Sequence, residues 1–279
     1  MNMKLFGAAL AIAAAVGSAN ADVESANVVG YKTVSCTGGK WYMIAADFQT
    51  VGNTAAQKTL KISEFIKGDF IGSTVEDNCP IIQIWDASTS LYSDWRFYSE
   101  STGLKSKRKQ NFWGLDNVLE NWDGYQAATI DIGKAVWFRS PTDCTITVAG
   151  QVCEVKENNV DVSPNQWCMI ANPWPIALNI NSNINWTAQV EAGNMKGSTV
   201  EDDCPIIQVW DSATSLYADY RFYSESTGLK SKRKKDFWGL DNVLENWETN
   251  QNATVPVGYG FWFRYHGTTD KPMTLTFTR

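Results

Sequence analysis

Histidine is nearly absent from this chain of 279 residues, with His266 the only one. A Ser-His-Asp or Cys-His site can therefore exist once at most, and neither a nucleophile elbow nor a zinc-helix motif accompanies it. No two cysteines have C-x-x-C spacing and no glycine-rich phosphate loop is present, so no catalytic residue, metal or cofactor is expected. Positive charge is also short: 24 Lys and Arg stand against 30 Asp and Glu, a net charge of −6. Such a chain repels nucleic acid and anionic lipid, so neither is an expected partner. After Val16 no apolar run approaches the ~20 residues that span a bilayer.

What the chain does have begins at its start. One positive charge at Lys4, an apolar run from Leu5 to Val16 and the small-residue site Ala19-Asn20-Ala21 have the layout of a secretory signal peptide, residues 1–21, cleaved before Asp22. The expected location is the periplasm, the cell surface or the medium. In such an oxidising compartment Cys36, Cys79, Cys144, Cys153, Cys168 and Cys204 are expected in disulfides. Their spacing leaves every connectivity open.

An internal repeat dominates the rest. Gly72 to Trp122 returns as Gly197 to Trp247 at an offset of 125, with 43 of 51 positions identical. Trp41-Tyr42-Met43-Ile44-Ala45 answers Trp167-Cys168-Met169-Ile170-Ala171 one residue out of step, so the duplication reaches across the chain. A period of this size is that of a domain, not of a solenoid. The expected units are 22–152 and 153–279, with the boundary between Val148 and Asn159, where Gly150 and the polar run Lys156 to Asn159 interrupt apolar segments. Shared function and recent gene conversion both account for the near-identity of the middle block.

Short strands are expected throughout. Ile81 to Asp86 and Leu91 to Tyr98 flank turn residues and predict a β-hairpin, with Leu91, Ser93, Trp95 and Phe97 facing the core. Thr129 to Ile132 and Val136 to Arg139 predict strand, glycine turn, strand; Thr254 to Arg264 repeats this. Further strands are expected at Val28 to Val34, Thr145 to Val148 and Met273 to Thr278. Helical spacing of Phe112, Leu115, Leu119 and Trp122 predicts a helix there. The fold class is all-β, two tandem jelly-roll-like β-sandwich modules with one short helix each.

The segment Trp167-Cys168-Met169-Ile170-Ala171-Asn172-Pro173-Trp174-Pro175, with the closing Gly258-Tyr259-Gly260-Phe261-Trp262-Phe263-Arg264, resembles β-sandwich repeats of uncharacterised secreted bacterial surface proteins. Those repeats open with a G-W-N-L-I-x-N-P-Y-P-like strand and close with a G-x-G-F-W-V-R-like one. In the first repeat Ala46-Asp47-Phe48-Gln49 replaces the Asn-Pro element. The resemblance implies a β-sandwich at the cell surface and assigns no activity.

Candidate binding residues follow from alternation. Tyr92, Asp94, Arg96 and Tyr98, with Tyr217, Asp219, Arg221 and Tyr223, share the other face of the second hairpin strand in each repeat. Rings that stack on apolar sugar faces, beside side chains that bond hydroxyls, suit a glycan. Glu76, Asp77, Asp86 and Asp94 with Glu201, Asp202, Asp211 and Asp219 are the carboxylates a glycosidase would draw on. The basic runs Lys105 to Lys109 and Lys230 to Lys235 suit an acidic polysaccharide or a solvated loop. The leading expectation is a secreted, non-enzymatic structural or adhesion protein whose partners are glycans or other envelope or extracellular proteins. A carbohydrate-binding protein with one site per repeat follows, then a carboxylate-based glycosidase.

Overall fold

A computed structural model describes residues 29–51, 59–99, 112–115, 129–224, 237–241, 253–267 and 272–279. The leader and both basic runs lie outside the described residues. The fold is all-β. In the first repeat, β1 (Val29–Cys36) pairs antiparallel with β10 (Cys144–Gln151), which also pairs with the short β4 (Lys67–Gly68). A five-stranded sheet has the order β2 (Trp41–Ala45), β9 (Ala135–Arg139), β5 (Ile81–Asp86), β6 (Leu91–Tyr98) and β7 (Phe112–Leu115). Strands β3 (Thr59–Lys61) and β8 (Thr129–Asp131) form a small third sheet.

Alternation decides what these sheets bury. From β1 and β10 the side chains of Val34, Cys36, Cys144, Ile146 and Val148 point inward, and from the five-stranded sheet Ile44, Ile82, Trp95, Val136 and Phe138 meet them. Ile82, Val136, Phe138 and Ile146 are fully buried. Each such side chain contributes roughly 1.5–3 kcal/mol through the hydrophobic effect.

The second repeat repeats the plan. Strands β11 (Glu157–Val162) and β19 (Met273–Thr278) cover a five-stranded sheet ordered β12 (Cys168–Ala171), β18 (Gly260–Arg264), β14 (Ile206–Asp211), β15 (Leu216–Tyr223) and β16 (Phe237–Leu240). Its core is filled by Trp174, Trp186, Trp238, Phe261, Phe263 and Phe277, among others. Each repeat has one short α-helix among its described residues, α1 (Ile62–Phe65) and α2 (Trp186–Glu191). Among the described residues no helix is long and apolar enough to cross a membrane.

Both helices lie elsewhere than the sequence pattern indicates. Phe112 to Leu115 is a strand paired with β6, while 116–122 lies outside the described residues. The pairing satisfies the backbone at Gly114, a poor helix former, and lets Trp113 reach the core against Phe97 and Phe138. The hairpin pairs as expected, Gln83 opposite Asp94 and Trp85 opposite Tyr92. Its inward face departs from the expectation, since Leu91 is exposed and Tyr98 is fully buried beside Cys79. No disulfide joins any of the six cysteines in this structure, where the sequence leads one to expect them, and all six are buried.

The outer faces of the two five-stranded sheets meet. Met43, Ala45, Ala135 and Trp137 pack against Met169, Ala171 and Trp262. Contacts come in reciprocal pairs. Ala45 N–H donates to Gly258 O at 2.9 Å and Ala171 N–H to Gly133 O at 2.8 Å. Trp85 Nε1 donates to Trp167 O at 2.6 Å, and Trp210 Nε1 to Trp41 O at 2.8 Å. Gly133 and Gly258, at φ 85° and 83°, turn the chain so that these carbonyls face the other repeat. At the centre the two repeats approach so closely that a Cβ on Gly260 would lie 2.2 Å from Ala135 Cβ.

Candidate functional site

Only part of each outer sheet face is used by this contact. In the first repeat the remainder carries Trp41 on β2, Arg139 on β9, Ile81 and Gln83 on β5, and Asp94 and Arg96 on β6. Strand register sets Trp41 beside Arg139, Arg139 beside Ile81, Ile81 beside Arg96 and Gln83 beside Asp94. These residues, with Asp77, line a cavity of about 420 Å³. Trp41 and Gln83 also line an adjoining aromatic cavity of about 260 Å³, whose other walls are Trp137, Trp210 and Tyr217. The two cavities share a border, so the groove runs from a polar end to an aromatic end, and the aromatic end is closed by the hairpin of the second repeat.

The polar side chains are held in place. Gln83 Nε2 donates to Asp94 Oδ1 at 3.0 Å. Arg96 Nη1 donates to Glu76 O at 2.7 Å, tying the 3-10 turn Glu76–Asn78 to the sheet. The Arg139 guanidinium sits 5.8 Å from the Trp41 ring, and its Nε is buried with no hydrogen-bond partner. The rings form a chain of edge contacts, Trp41 to Trp137 at 6.2 Å, Trp137 to Trp210 at 5.5 Å and Trp210 to Tyr217 at 4.8 Å.

The second repeat places equivalent residues in the same register. Gln208 opposes Asp219, Ile206 opposes Arg221, and Arg264 stands 4.8 Å from the Trp167 ring. Gln208 Nε2 donates to Asp219 Oδ1 at 3.0 Å. Trp85 of the first repeat packs its ring on Trp262 there at 5.3 Å, and Trp262 in turn meets Trp167 at 6.1 Å. Arg264 Nε is again buried without a partner. Arg221 also carries an ion pair to Asp241 at 2.8 Å.

Of the eight binding residues expected from alternation, six belong to this region and two do not. Asp94 and Arg96 line the first groove, but the tyrosine beside them is Tyr217 of the other repeat. Tyr92 instead leans on Trp85 at 4.9 Å, and its hydroxyl hydrogen-bonds the Trp137 side chain. Burial raises the phenol pKa of both Tyr92 and Tyr217, which keeps them neutral donors. Tyr98 and Tyr223 are buried under the turns and offer no ring face to a ligand. Alternation missed Trp41, Gln83, Arg139 and Trp137 with their counterparts. The repeated Trp41 and Trp137-Phe138-Arg139 motifs held the signal, but were readable only as structural strands.

The other candidates fall elsewhere. Asp86 and Asp211 are exposed and cap their hairpin turns; hydrogen bonds from the Ser88 and Thr214 hydroxyls, and then from the Ser88 and Ala213 backbone N–H groups, hold both carboxyls below the usual range. His266 Nε2 lies 3.3 Å from Asp202 O on an exposed loop. No group of acidic, histidine or cysteine side chains suited to a metal occurs among the described residues. A cleft of about 300 Å³ between the repeats is lined by Asp86, Asp131, Lys134 and Asp161, but Trp85 is its only aromatic ring and Lys134 Nζ is already bound to Asp161 O.

No family model, curated protein or solved structure matches the chain.

Proposed function

We propose that this is an exported, non-catalytic glycan-binding protein with an adhesive or structural role at the cell surface, its two modules each presenting one groove. The observation that carries the reading is where the repeats differ. Along the hairpin, Ile81, Gln83, Trp85, Tyr92, Asp94 and Arg96 face the groove side and all six recur unchanged. The three strand substitutions, Ile84/Val209, Ser93/Ala218 and Trp95/Tyr220, all fall on the opposite side. A groove with aromatic platforms at one end and paired Asp and Arg at the other matches what sugars offer, apolar ring faces and rows of hydroxyls. Two such grooves on one chain favour multivalent glycan surfaces, where a second contact forms at high effective concentration.

The test is a glycan array followed by titration calorimetry on the full chain. A bound glycan should show two sites; Trp41→Ala should weaken one by about tenfold, and Trp41→Ala with Trp167→Ala both. Absence of any glycan ligand, or binding indifferent to the double substitution, overturns the reading. Asp77 and Asp94 line the same groove, which favours a glycosidase as the second reading. Turnover of a bound glycan, lost in Asp94→Asn with Asp219→Asn, would establish it.

A further inference from the structure

The register of β1 on β10 sets Cys36 directly opposite Cys144. Among the described strand ladders this is the one step at which two cysteines face each other. Facing residues of an antiparallel pair have Cα atoms about 4.5–5.5 Å apart, within the roughly 4.4–6.8 Å that a disulfide spans. The two thiols lie within hydrogen-bonding reach of one another inside the first core. At the same ladder step the second repeat has Val162 opposite Met273, an ordinary apolar pair. The other four cysteines have different surroundings. Cys79 and Cys204 point their thiols at the carbonyls of Ser73 and Ser198, Cys168 lies near Gln166 O, and Cys153 accepts from Asn158.

We propose that Cys36 and Cys144 are a disulfide site of this protein, oxidised as the chain folds, and that the remaining four cysteines stay reduced. The reaction is thiol–disulfide exchange: each cysteine gives up one proton and one electron, the Cys36–Cys144 bond forms, and a donor disulfide such as oxidised glutathione is cleaved to two thiols. Timing follows from burial. Both side chains are under a tenth exposed, and burial with the neighbouring thiol pushes Cys36 up to about 12. The folded protein therefore holds almost no attacking thiolate at neutral pH, whereas the unfolded chain does. The bridge would enclose every strand from β2 to β9, a long loop whose closure restricts the unfolded chain strongly.

Refolding the reduced full chain from denaturant in a mixture of oxidised and reduced glutathione tests this. After acid quench, alkylation and digestion without reductant, one crosslinked peptide pair containing Cys36 and Cys144 is expected. Cys79, Cys153, Cys168 and Cys204 should all be alkylated. The oxidised protein should melt about 5–15 °C above the reduced one. That redox shift should vanish in Cys36→Val with Cys144→Met, which installs the pair found in the second repeat. Recovery of Cys36 or Cys144 alkylated, a link to any other cysteine, or an equal redox shift in the double variant overturns the proposal, and the peptide map decides even if the variant does not fold.

Discussion

At the ladder position where β1 carries Lys32, β11 carries Asn158. Lys32 Nζ reaches Asp47 Oδ1 at 2.6 Å, Ala45 O at 3.0 Å and, across the junction, Gly258 O at 3.3 Å. In the second repeat the position of Asp47 is taken by Pro173, and Asn158 is buried as a neutral amide. The first repeat thus holds an ion pair where the second has none. Burial lowers the Lys32 pKa and raises that of Asp47, each against the attraction of the other, so both groups report that desolvation outweighs the pairing. The difference teaches that the shared sandwich does not need the charges. What Lys32 adds is a donor that crosses to the partner repeat.

The largest effect that would break this contrast is expected from removing one charge. Asp47→Asn leaves Lys32 buried without a counter-ion and should cost about 3–5 kcal/mol in urea unfolding, whereas Lys32→Met with Asp47→Leu should be close to neutral. A change in the double variant as large as in the single one would show that the pair itself stabilises the fold.

The next effect concerns the junction. Ala135 and Gly260 are equivalent positions, and only the second is glycine. Gly260→Ala places a Cβ against Ala135, Met43 and Ile170 O, and should destabilise by about 1–3 kcal/mol. Ala135→Gly should cost less, about 0.5–1 kcal/mol in strand entropy. Chemical denaturation of both variants compares them; equal losses would mean that the approach relaxes.

The smallest effect is in alkali. In the reduced protein burial pushes Cys36 of the first repeat up to about 12, as it does Tyr265 of the second. Raised folded values mean that stability is intact below the ordinary thiol and phenol pKa values and falls as pH rises through about 12. Tyr265→Phe should therefore flatten the alkaline loss, as read by thermal midpoints between neutral and high pH. An unchanged profile would remove Tyr265 as a cause.

Local pattern was legible where one strand or turn decides the outcome. The hairpin of Ile81 to Tyr98, the glycine turns at Gly133 and Gly258 and the last strand, Met273–Thr278, all follow from alternation and punctuation. Alternation failed at Tyr98, where the strand passes beneath the turn holding Cys79 and an outward position becomes interior. The i, i+3 spacing at Phe112 and Leu115 suggested a helix because it ignores the unpaired edge of β6, which Phe112 to Leu115 occupies. The groove was the least legible part. Trp41, Gln83 and Tyr217 are far apart in the chain, and only the packing of one repeat on the other brings them together.

Hairpin β14–β15 serves both repeats. Its Trp210 and Tyr217 wall the groove of the first, while Gln208 and Asp219, two residues along the same strands, pair within the sheet of the second. On the proposed glycan-binding reading, a ligand that shifts this hairpin from one side would change what it presents on the other, and by thermodynamic linkage that influence would be mutual.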